Sequence, residues 1–255
     1  MTAVEREISL DGLRVFGQAD WGVRFPGLVQ GITARAPELD FGLQEAAERP
    51  EEAAASRTPA DGWSRLQAAT RVGRVARCRQ VHGSAVAVYE NLGPAGVEVL
   101  GHADALVTGR AGVLLAVTIA DCVPVFLLDP ERRVLGLAHA GWRGTAAGVV
   151  EATFDAMCRL GAEVASLHAH LGPAICGRCY EVGPEVPAAL GGMPEGTRFV
   201  DLRAHIASTV TAAGVDPERL TASSCCTRCD AAAFFSHRGG DRGRRMCAFL
   251  GWPAG

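Results

Sequence analysis

The sequence has no strong excess of charge of either sign and no long uninterrupted apolar run. Its 25 basic and 28 acidic residues give a formal net charge of -3, which argues against electrostatic binding to nucleic acid or to an anionic membrane. The most apolar stretch, 112–128, contains Asp121 and Pro124 and is too broken to span a bilayer. The first residues carry charges and no apolar signal region, so we expect a cytoplasmic protein without nucleic-acid or membrane partners.

Internal repeats, low-complexity tracts and a linker that would divide the apolar part of the chain are also missing. We therefore predict a single domain over residues 1–255. Continuous apolar runs are typical of strands buried on both faces, and they lie at 113–119, 123–128 and 134–139. Helical periodicity is found at 146–160 and 201–213, and later strands are predicted at 167–171, 234–235 and 246–250. Strands that alternate with helices predict an α/β fold. The acidic, alanine-rich segment 45–59 is predicted to be a solvated loop and helix.

Histidine is scarce, with seven residues, whereas nine cysteines are present. An odd number of cysteines in a reducing compartment favours metal binding, catalysis or simple burial over a disulfide framework. Three segments place a metal-ligating side chain at the end of an apolar run: QVHG with His82, ADCVP with Cys122, and HAGWRG with His139. Two imidazoles and one thiolate form a known catalytic zinc set that leaves a fourth position open for water or substrate.

The same three residues permit other interpretations. Cys122 could be a nucleophile with His139 or His82 as its base, as in cysteine hydrolases, or a small core residue. Blue-copper sites also use two histidines and one cysteine, although multicopper chemistry needs more histidines than this chain has. A binding or scaffold protein with a structural zinc would need a fourth protein ligand.

A glycine-rich turn, GWRG, precedes a helix that we predict to begin near Thr145. A helix N-terminus attracts anions, and Gly141 and Gly144 would let the backbone approach a phosphate closely, while Arg143 could add a bidentate contact.

Three further charged residues are candidates for the same site. Arg238 and Arg244 lie in a late glycine-rich loop that could close over the anion. Asp121, beside Cys122, could orient a ligand or a water, or cap a turn.

Six runs in order along the chain resemble the YfiH-like laccase-domain (polyphenol oxidase) family: QVHG, ADALVT, ADCVPV, HAGWRG, GPAICGRCYEVG and FFSHRGGDRGR. The resemblance implies an α/β/β/α layered fold with mixed sheets, and zinc held by His82, Cys122 and His139. Family members are described as purine nucleoside phosphorylases, with adenosine deaminase and methylthioadenosine phosphorylase activities, and an older assignment was multicopper oxidase. It therefore implies nucleoside and phosphate as substrates. From the residues themselves we predict catalytic roles for Cys122, Asp121 and Arg143.

The chain departs from the family pattern in two places. The N-terminal TxRxGGVS segment is represented only by ITARAPELDFGL, in which Arg35 matches the family arginine and is a further candidate for phosphate binding. Where the family shows FFSYRRDG, His237 replaces the tyrosine and Gly239 the second arginine. These changes bear on substrate preference more than on the metal site.

The remaining cysteines include two C-x-x-C spacings, in CGRC from Cys176 and in CCTRC from Cys225. Two such pairs can form a structural zinc site, although buried thiols are the default interpretation. The resemblance accounts for Cys179 and Cys226, whereas Cys176, Cys225 and Cys229 are additions to its pattern. The sequence leaves the oligomeric state open between monomer and dimer.

Overall fold

A computed structural model describes residues 5–36, 39–42 and 60–254, and the loop and helix predicted at 45–59 lie outside them. The strands of the described residues are β1 (Glu5–Leu10), β2 (Leu13–Gln18), β3 (Val29–Thr33), β4 (Arg74–Arg79), β5 (Val86–Val88), β6 (Gly96–His102), β7 (Ala105–Thr108), β8 (Val113–Ile119), β9 (Val123–Asp129), β10 (Val134–Ala140), β11 (His168–Leu171), β12 (Leu220–Ala222) and β13 (Met246–Trp252). Their α-helices are α1 (Trp21–Arg24), α2 (Ala60–Thr70), α3 (Trp142–Ala146), α4 (Val149–Arg159), α5 (Glu185–Leu190) and α6 (Leu202–Ala212). None of these helices is long and apolar enough to cross a membrane.

The strands form two mixed sheets. One has seven strands in the order β1-β2-β3-β13-β8-β4-β6, and the other has six in the order β12-β11-β9-β10-β7-β5. In the second sheet β9 and β10 are antiparallel, with His139 opposite Pro124 and Ala140 opposite Val123. This register brings the start of β9 and the end of β10 to the same edge of the sheet.

The two sheets pack face to face, and helices cover their outer faces. On β9, Phe126 and Leu128 face the core between the sheets, whereas Val123, Val125 and Leu127 belong to the cluster under α4 and α6. Trp63 and Leu66 of α2 pack with Val75, Leu114 and Phe249 on the outer face of the first sheet. Strands buried on both faces are apolar at most positions, which explains the nearly continuous runs in the sequence. The predicted α/β/β/α layering and mixed sheets are confirmed.

The helix predicted at 146–160 is interrupted in the structure. Gly148 has a φ of 82°, in the left-handed region, and separates α3 from α4. The prediction that the helix begins near Thr145 was therefore wrong, because a helix of only five residues begins at Trp142 and the long helix begins at Val149.

The strand predicted at 234–235 was also wrong. Phe234 and Phe235 are buried in the core between the sheets, but they lie in a loop. The backbone N–H groups of Ala233 and Phe234 both bond to the carbonyl of Asp230, so this segment is organised by local turns and not by a strand ladder. Helices α2 and α5 and strand β6 were not predicted.

Candidate active site

Three ligand side chains from different parts of the chain meet at the edge of the second sheet. Cys122 directly precedes β9, His139 lies next to the end of β10, and His82 lies in the turn that follows β4. One ligand atom from each of the three lies within 4.8 Å of the others. The rings of His82 and His139 are nearly perpendicular, with centroids 4.9 Å apart. His139 is buried and His82 is exposed, so one side of the group remains open.

The buried carboxylate of Asp104 orients the ring of His139 and the backbone turn that carries His82. Its Oδ1 lies 3.0 Å from Nδ1 of His139 and accepts a hydrogen bond from the backbone N–H of His82 at 2.9 Å. Its Oδ2 accepts the backbone N–H groups of Val81 and Gly83, at 3.1 and 2.7 Å. With Nδ1 of His139 engaged by the carboxylate, Nε2 is left for a metal ion, the usual arrangement of a ligating histidine.

Two non-glycine residues of the site have left-handed backbone conformations. The φ angles are 57° at His82 and 84° at Asp121, next to Cys122. Such conformations cost about 1–3 kcal/mol each and persist where the surroundings hold them. The hydrogen bonds to Asp104 hold the turn of His82 in this conformation. The two strained positions are therefore at or next to residues of the three-ligand group.

The carboxylate of Asp121 is fully engaged in binding two other loops. Oδ1 accepts the hydroxyl groups of Thr227 and Ser236 at 2.6 and 2.7 Å, and Oδ2 accepts the backbone N–H of Arg238 at 2.7 Å. Asp121 also lines the cavity described below, beside Cys122. Its contacts suit a positioning role, and its predicted catalytic role stays a prediction.

The surroundings of Cys122 favour its thiolate form. Burial opposes this, because it raises the pKa of a thiol, but the positive charge of His139 and hydrogen bonds from His139 and His82 together lower the pKa of Cys122. Burial likewise lowers the pKa of His139, yet the Cys122 thiolate and the bond to Asp104 raise it overall. The two shifts favour a Cys122 thiolate beside a protonated His139, so a metal ion would bind there in exchange for the proton of His139.

A cavity of about 690 Å³ opens over the three ligand side chains. Its size lies within the range of small-molecule sites. Its apolar and aromatic wall is made by Trp142, Ile175, Tyr180 and Leu202, and its guanidinium groups come from Arg143, Arg238 and Arg245. The cavity therefore combines a flat hydrophobic surface with a concentration of positive charge.

Two of the predicted arginines face this cavity. Arg143 stacks on the ring of Trp142 at 4.4 Å, and Arg238 lies over Tyr180 at 5.1 Å while donating to the carbonyl of Glu181. Aromatic stacking restricts both guanidinium groups, which favours defined anion contacts.

The two predicted glycines allow close packing around the ligands. Gly141 lines the cavity, and a Cβ at this position would lie 2.9 Å from Sγ of Cys122. A Cβ on Gly144 would lie 2.9 Å from the carbonyl oxygen of Gly83, which is backbone and cannot move aside easily. Both positions exclude larger residues, and the backbone of Gly141 borders the thiolate.

Two other predicted arginines lie outside the cavity. Arg35 forms an ion pair with Asp241 at 2.8 Å and stacks on Phe235 at 4.8 Å. Arg244 lies over the same ring at 5.6 Å, and its Nε is 3.9 Å from the carboxylate of Asp40. Arg35 borders an adjacent cavity of about 550 Å³ that shares Arg238 with the main one. The structure does not bring Arg35 or Arg244 to the three ligands.

Sequence reasoning missed Asp104, Tyr180 and Arg245 as site residues. Asp104 lies in the ADALVT run and Tyr180 follows Cys179 in GPAICGRCYEVG, so both stood in segments that carried the family resemblance. Arg245 follows Arg242 and Arg244, and nothing in the sequence distinguishes the three. His237, which replaces the family tyrosine, also lines the cavity.

Other proteins resemble this chain in sequence and in fold. Residues 48–252 match the family described as multi-copper polyphenol oxidoreductase laccase. Purine nucleoside phosphorylase ORF3 of Streptomyces griseus is 42% identical over 190 residues, which cover 69% of this chain and 75% of that protein. Adenosine deaminase RL5, from an unknown prokaryotic organism, is 39% identical over 147 residues, 53% of this chain and 56% of that protein.

Among solved structures, the hypothetical protein YfiH of Bacillus licheniformis superimposes with a TM-score of 0.79 at 26% sequence identity. The superposition covers 96% of this chain and 98% of that one. Together with the profile match, which spans more than half of the sequence, this establishes the family. The chain belongs to the laccase-like YfiH family, whose sequence profile is described as multi-copper polyphenol oxidoreductase laccase.

Proposed function

We propose that this protein is a zinc-dependent purine nucleoside phosphorylase that cleaves adenosine, inosine and methylthioadenosine, and that it deaminates adenosine as a second activity. The observation that carries the proposal is the convergence of His82, Cys122 and His139 beneath a cavity that holds both arginines and aromatic rings. The names of the relatives, purine nucleoside phosphorylase and adenosine deaminase, support the same substrate class.

The ligand set fits zinc. Two imidazoles and a thiolate are donors that zinc accepts, and within the described part of the chain this group contains only those three ligand side chains. A group of three supports an open catalytic site over a closed structural one, which would need a fourth ligand. When bound, zinc would supply a Lewis acid with one exchangeable position next to the substrate.

The arginines provide the phosphate site of this proposal. Arg143 and Arg238 carry permanent positive charge and can each form paired N–H bonds to phosphate oxygens. Arg245 lines the same cavity and adds to its positive potential. We assign to Arg35 and Arg244 the support of the loop that carries Arg238, because both guanidinium groups lie over Phe235 of that loop.

The apolar and aromatic part of the cavity suits a nucleoside. Trp142 and Tyr180 present aromatic surface to the cavity, and Ile175 and Leu202 extend its apolar part. Burial raises the pKa of Tyr180 to about 12, so its phenol stays protonated at neutral pH and can donate a hydrogen bond. In phosphorolysis a phosphate oxygen forms a bond to ribose C1′ while the bond from C1′ to the purine nitrogen breaks. One cavity offers surfaces for both reactants, which supports the positioning that this substitution needs.

Product analysis tests this proposal directly. Zinc-loaded protein is incubated with inosine, adenosine or methylthioadenosine, with and without phosphate. We expect free base and a ribose phosphate only when phosphate is present, and inosine from adenosine without phosphate. Cys122→Ala is expected to lose the zinc ion of the three-ligand group and cleavage together, whereas Cys158→Ala, which changes an exposed cysteine on α4, keeps both. Full cleavage by Cys122→Ala protein that has lost this zinc ion would remove the metal from the reaction.

Two observations favour other chemistries and define their tests. The family description and the ligand set favour a copper phenol oxidase, which would show strong visible absorbance and phenol oxidation after copper loading. The lowered pKa of Cys122 favours a cysteine hydrolase, in which Cys122 would react with iodoacetamide even in zinc-replete protein. In the proposed phosphorylase, bound zinc protects Cys122 from this reagent.

A further inference from the structure

A second group of sulfur ligands lies outside the three-ligand group. The Sγ atoms of Cys176, Cys179, Cys226 and Cys229 all lie within 4.8 Å of one another. They come from two C-x-x-C segments, CGRC and CTRC, that are distant in sequence. Cys225, the direct neighbour of Cys226, is not part of the group.

The backbone of the two segments holds the sulfur atoms in this arrangement. Ala174 and Cys226 form a parallel β-bridge, which joins the segments two residues before Cys176 and at Cys226 itself. The backbone N–H groups of Cys176 and Cys229 both point at Sγ of Cys226, at 3.3 and 3.5 Å. N–H groups directed at sulfur stabilise a thiolate, the form that binds metals.

We infer that Cys176, Cys179, Cys226 and Cys229 bind one zinc ion in a closed structural site. Four thiolates complete the tetrahedral coordination of zinc and leave no position for substrate. Simple burial does not account for the cluster, because Cys229 is exposed and Cys176 and Cys179 are only partly buried. None of these four cysteines forms a disulfide, and the sulfur atoms of Cys179 and Cys229 are 3.4 Å apart, in contact but not covalently bonded.

The proposed site lies directly behind the wall of the main cavity. Tyr180, which lines that cavity, follows Cys179 in the chain, and Thr227, between Cys226 and Cys229, donates its hydroxyl to Asp121. A zinc ion here would therefore fix Tyr180 and Thr227 relative to the loop of Cys122. The inference does not depend on the reaction, because it concerns only metal binding by the four thiols.

Metal content per chain tests the inference. Protein purified with zinc and a reducing agent is expected to contain two zinc ions, of which Cys122→Ala removes one. Cys179→Ser and Cys229→Ser each remove the other. Cys225→Ser is the matched control, because it changes the adjacent thiol that lies outside the group, and it is expected to keep both ions.

The inference can also be tested without substituting any of the four cysteines. A single zinc ion per chain that disappears in Cys122→Ala would overturn it, as would disulfides among the four cysteines in protein kept under reducing agent. Cobalt titration of Cys122→Ala protein provides a second measurement. We expect the intense sulfur-to-cobalt absorption of a tetrathiolate site, and its absence would contradict the inference.

Discussion

Asp104 and His139 form a buried pair in which Oδ1 of the carboxylate lies 3.0 Å from Nδ1 of the imidazole. The same oxygen accepts the backbone N–H of His82, so one carboxylate orients one ligand ring and the turn that carries another. Burial opposes ionisation of Asp104, but the hydrogen bond and charge of His139 lower its pKa overall. The proposed metal ligands are therefore oriented by a side chain outside the ligand group itself.

Asp104→Asn is expected to weaken zinc binding by about 10–100-fold, the usual effect of removing a carboxylate that supports a ligating histidine. An amide in this position presents N–H groups where the carboxylate accepted backbone N–H groups. Competition with a chelator of known affinity measures the change. Asp129→Asn is the matched control, because Asp129 is also a buried carboxylate bound to backbone N–H groups, at 131, 132 and 163. Equal zinc affinities for the two variants would contradict the role of Asp104.

Arg143→Gln is expected to raise the KM for phosphate by about 10–100-fold, because hydrogen bonds to charged groups contribute about 1.5–3 kcal/mol. The KM for the nucleoside should change much less, since the aromatic wall of the cavity is retained. Steady-state kinetics with each substrate varied in turn provides the measurement. Arg242→Gln removes an exposed arginine that does not line the cavity and serves as the control. An unchanged phosphate KM in Arg143→Gln would contradict our assignment of the phosphate site.

Asp121 and Thr227 are expected to be energetically coupled. Thr227→Val removes a buried 2.6 Å hydrogen bond and should lower the free energy of unfolding by about 1–2 kcal/mol. Combined with Asp121→Asn in a double-mutant cycle, it should show a coupling energy of at least about 0.5 kcal/mol. Thr211→Val, on the exposed side of α6, should be additive with Asp121→Asn. Additivity of both pairs in denaturant unfolding would show that Asp121 does not anchor the segment of Thr227.

His168 is expected to make the protein less stable as the pH falls from 6.5 to 4. Burial, followed by the charges of Arg24 and Arg219, lowers the pKa of His168 from 6.5 to about 4. Between these pH values His168 binds a proton in the unfolded chain but stays neutral in the folded chain. Acidification therefore lowers the free energy of unfolding by up to about 3 kcal/mol. Denaturant unfolding at several pH values should show a smaller loss in His168→Gln than in the native protein. His102→Gln, at an exposed histidine, should leave the pH profile unchanged.

The sheet structure could be predicted where strands are buried on both faces. The run at 113–119 coincides with β8, because the core between the sheets and the outer helix cluster favour apolar residues on both of its faces; Thr118 is its one polar residue. Local periodicity failed where tertiary contacts decide the backbone. The left-handed Gly148 splits an otherwise regular helical pattern, and the buried pair Phe234 and Phe235 fills the core from a loop.

The three-ligand group could be proposed from sequence because His82, Cys122 and His139 each follow or end an apolar run. The residues that support it could not be selected in the same way. A buried Asp104 and an exposed aspartate look alike at the start of a strand, and only the fold shows which backbone N–H groups surround the carboxylate. The sequence contains Cys225 and Cys226 side by side, and the C-x-x-C spacing to Cys229 selects Cys226. Only the fold shows that this segment meets the one that holds Cys176 and Cys179, through the β-bridge between Ala174 and Cys226.

Composition and local pattern alone were sufficient for the α/β class and the buried strands, because these depend on which residues avoid water. Short sequence motifs were sufficient for the family resemblance. Tertiary structure decided which charged groups share a cavity: it brought Arg143 and Arg238 together and left Arg35 and Arg244 outside. The physical reason is that hydrogen bonds and Coulomb interactions act over a few ångströms in space, and distance along the chain does not determine that separation.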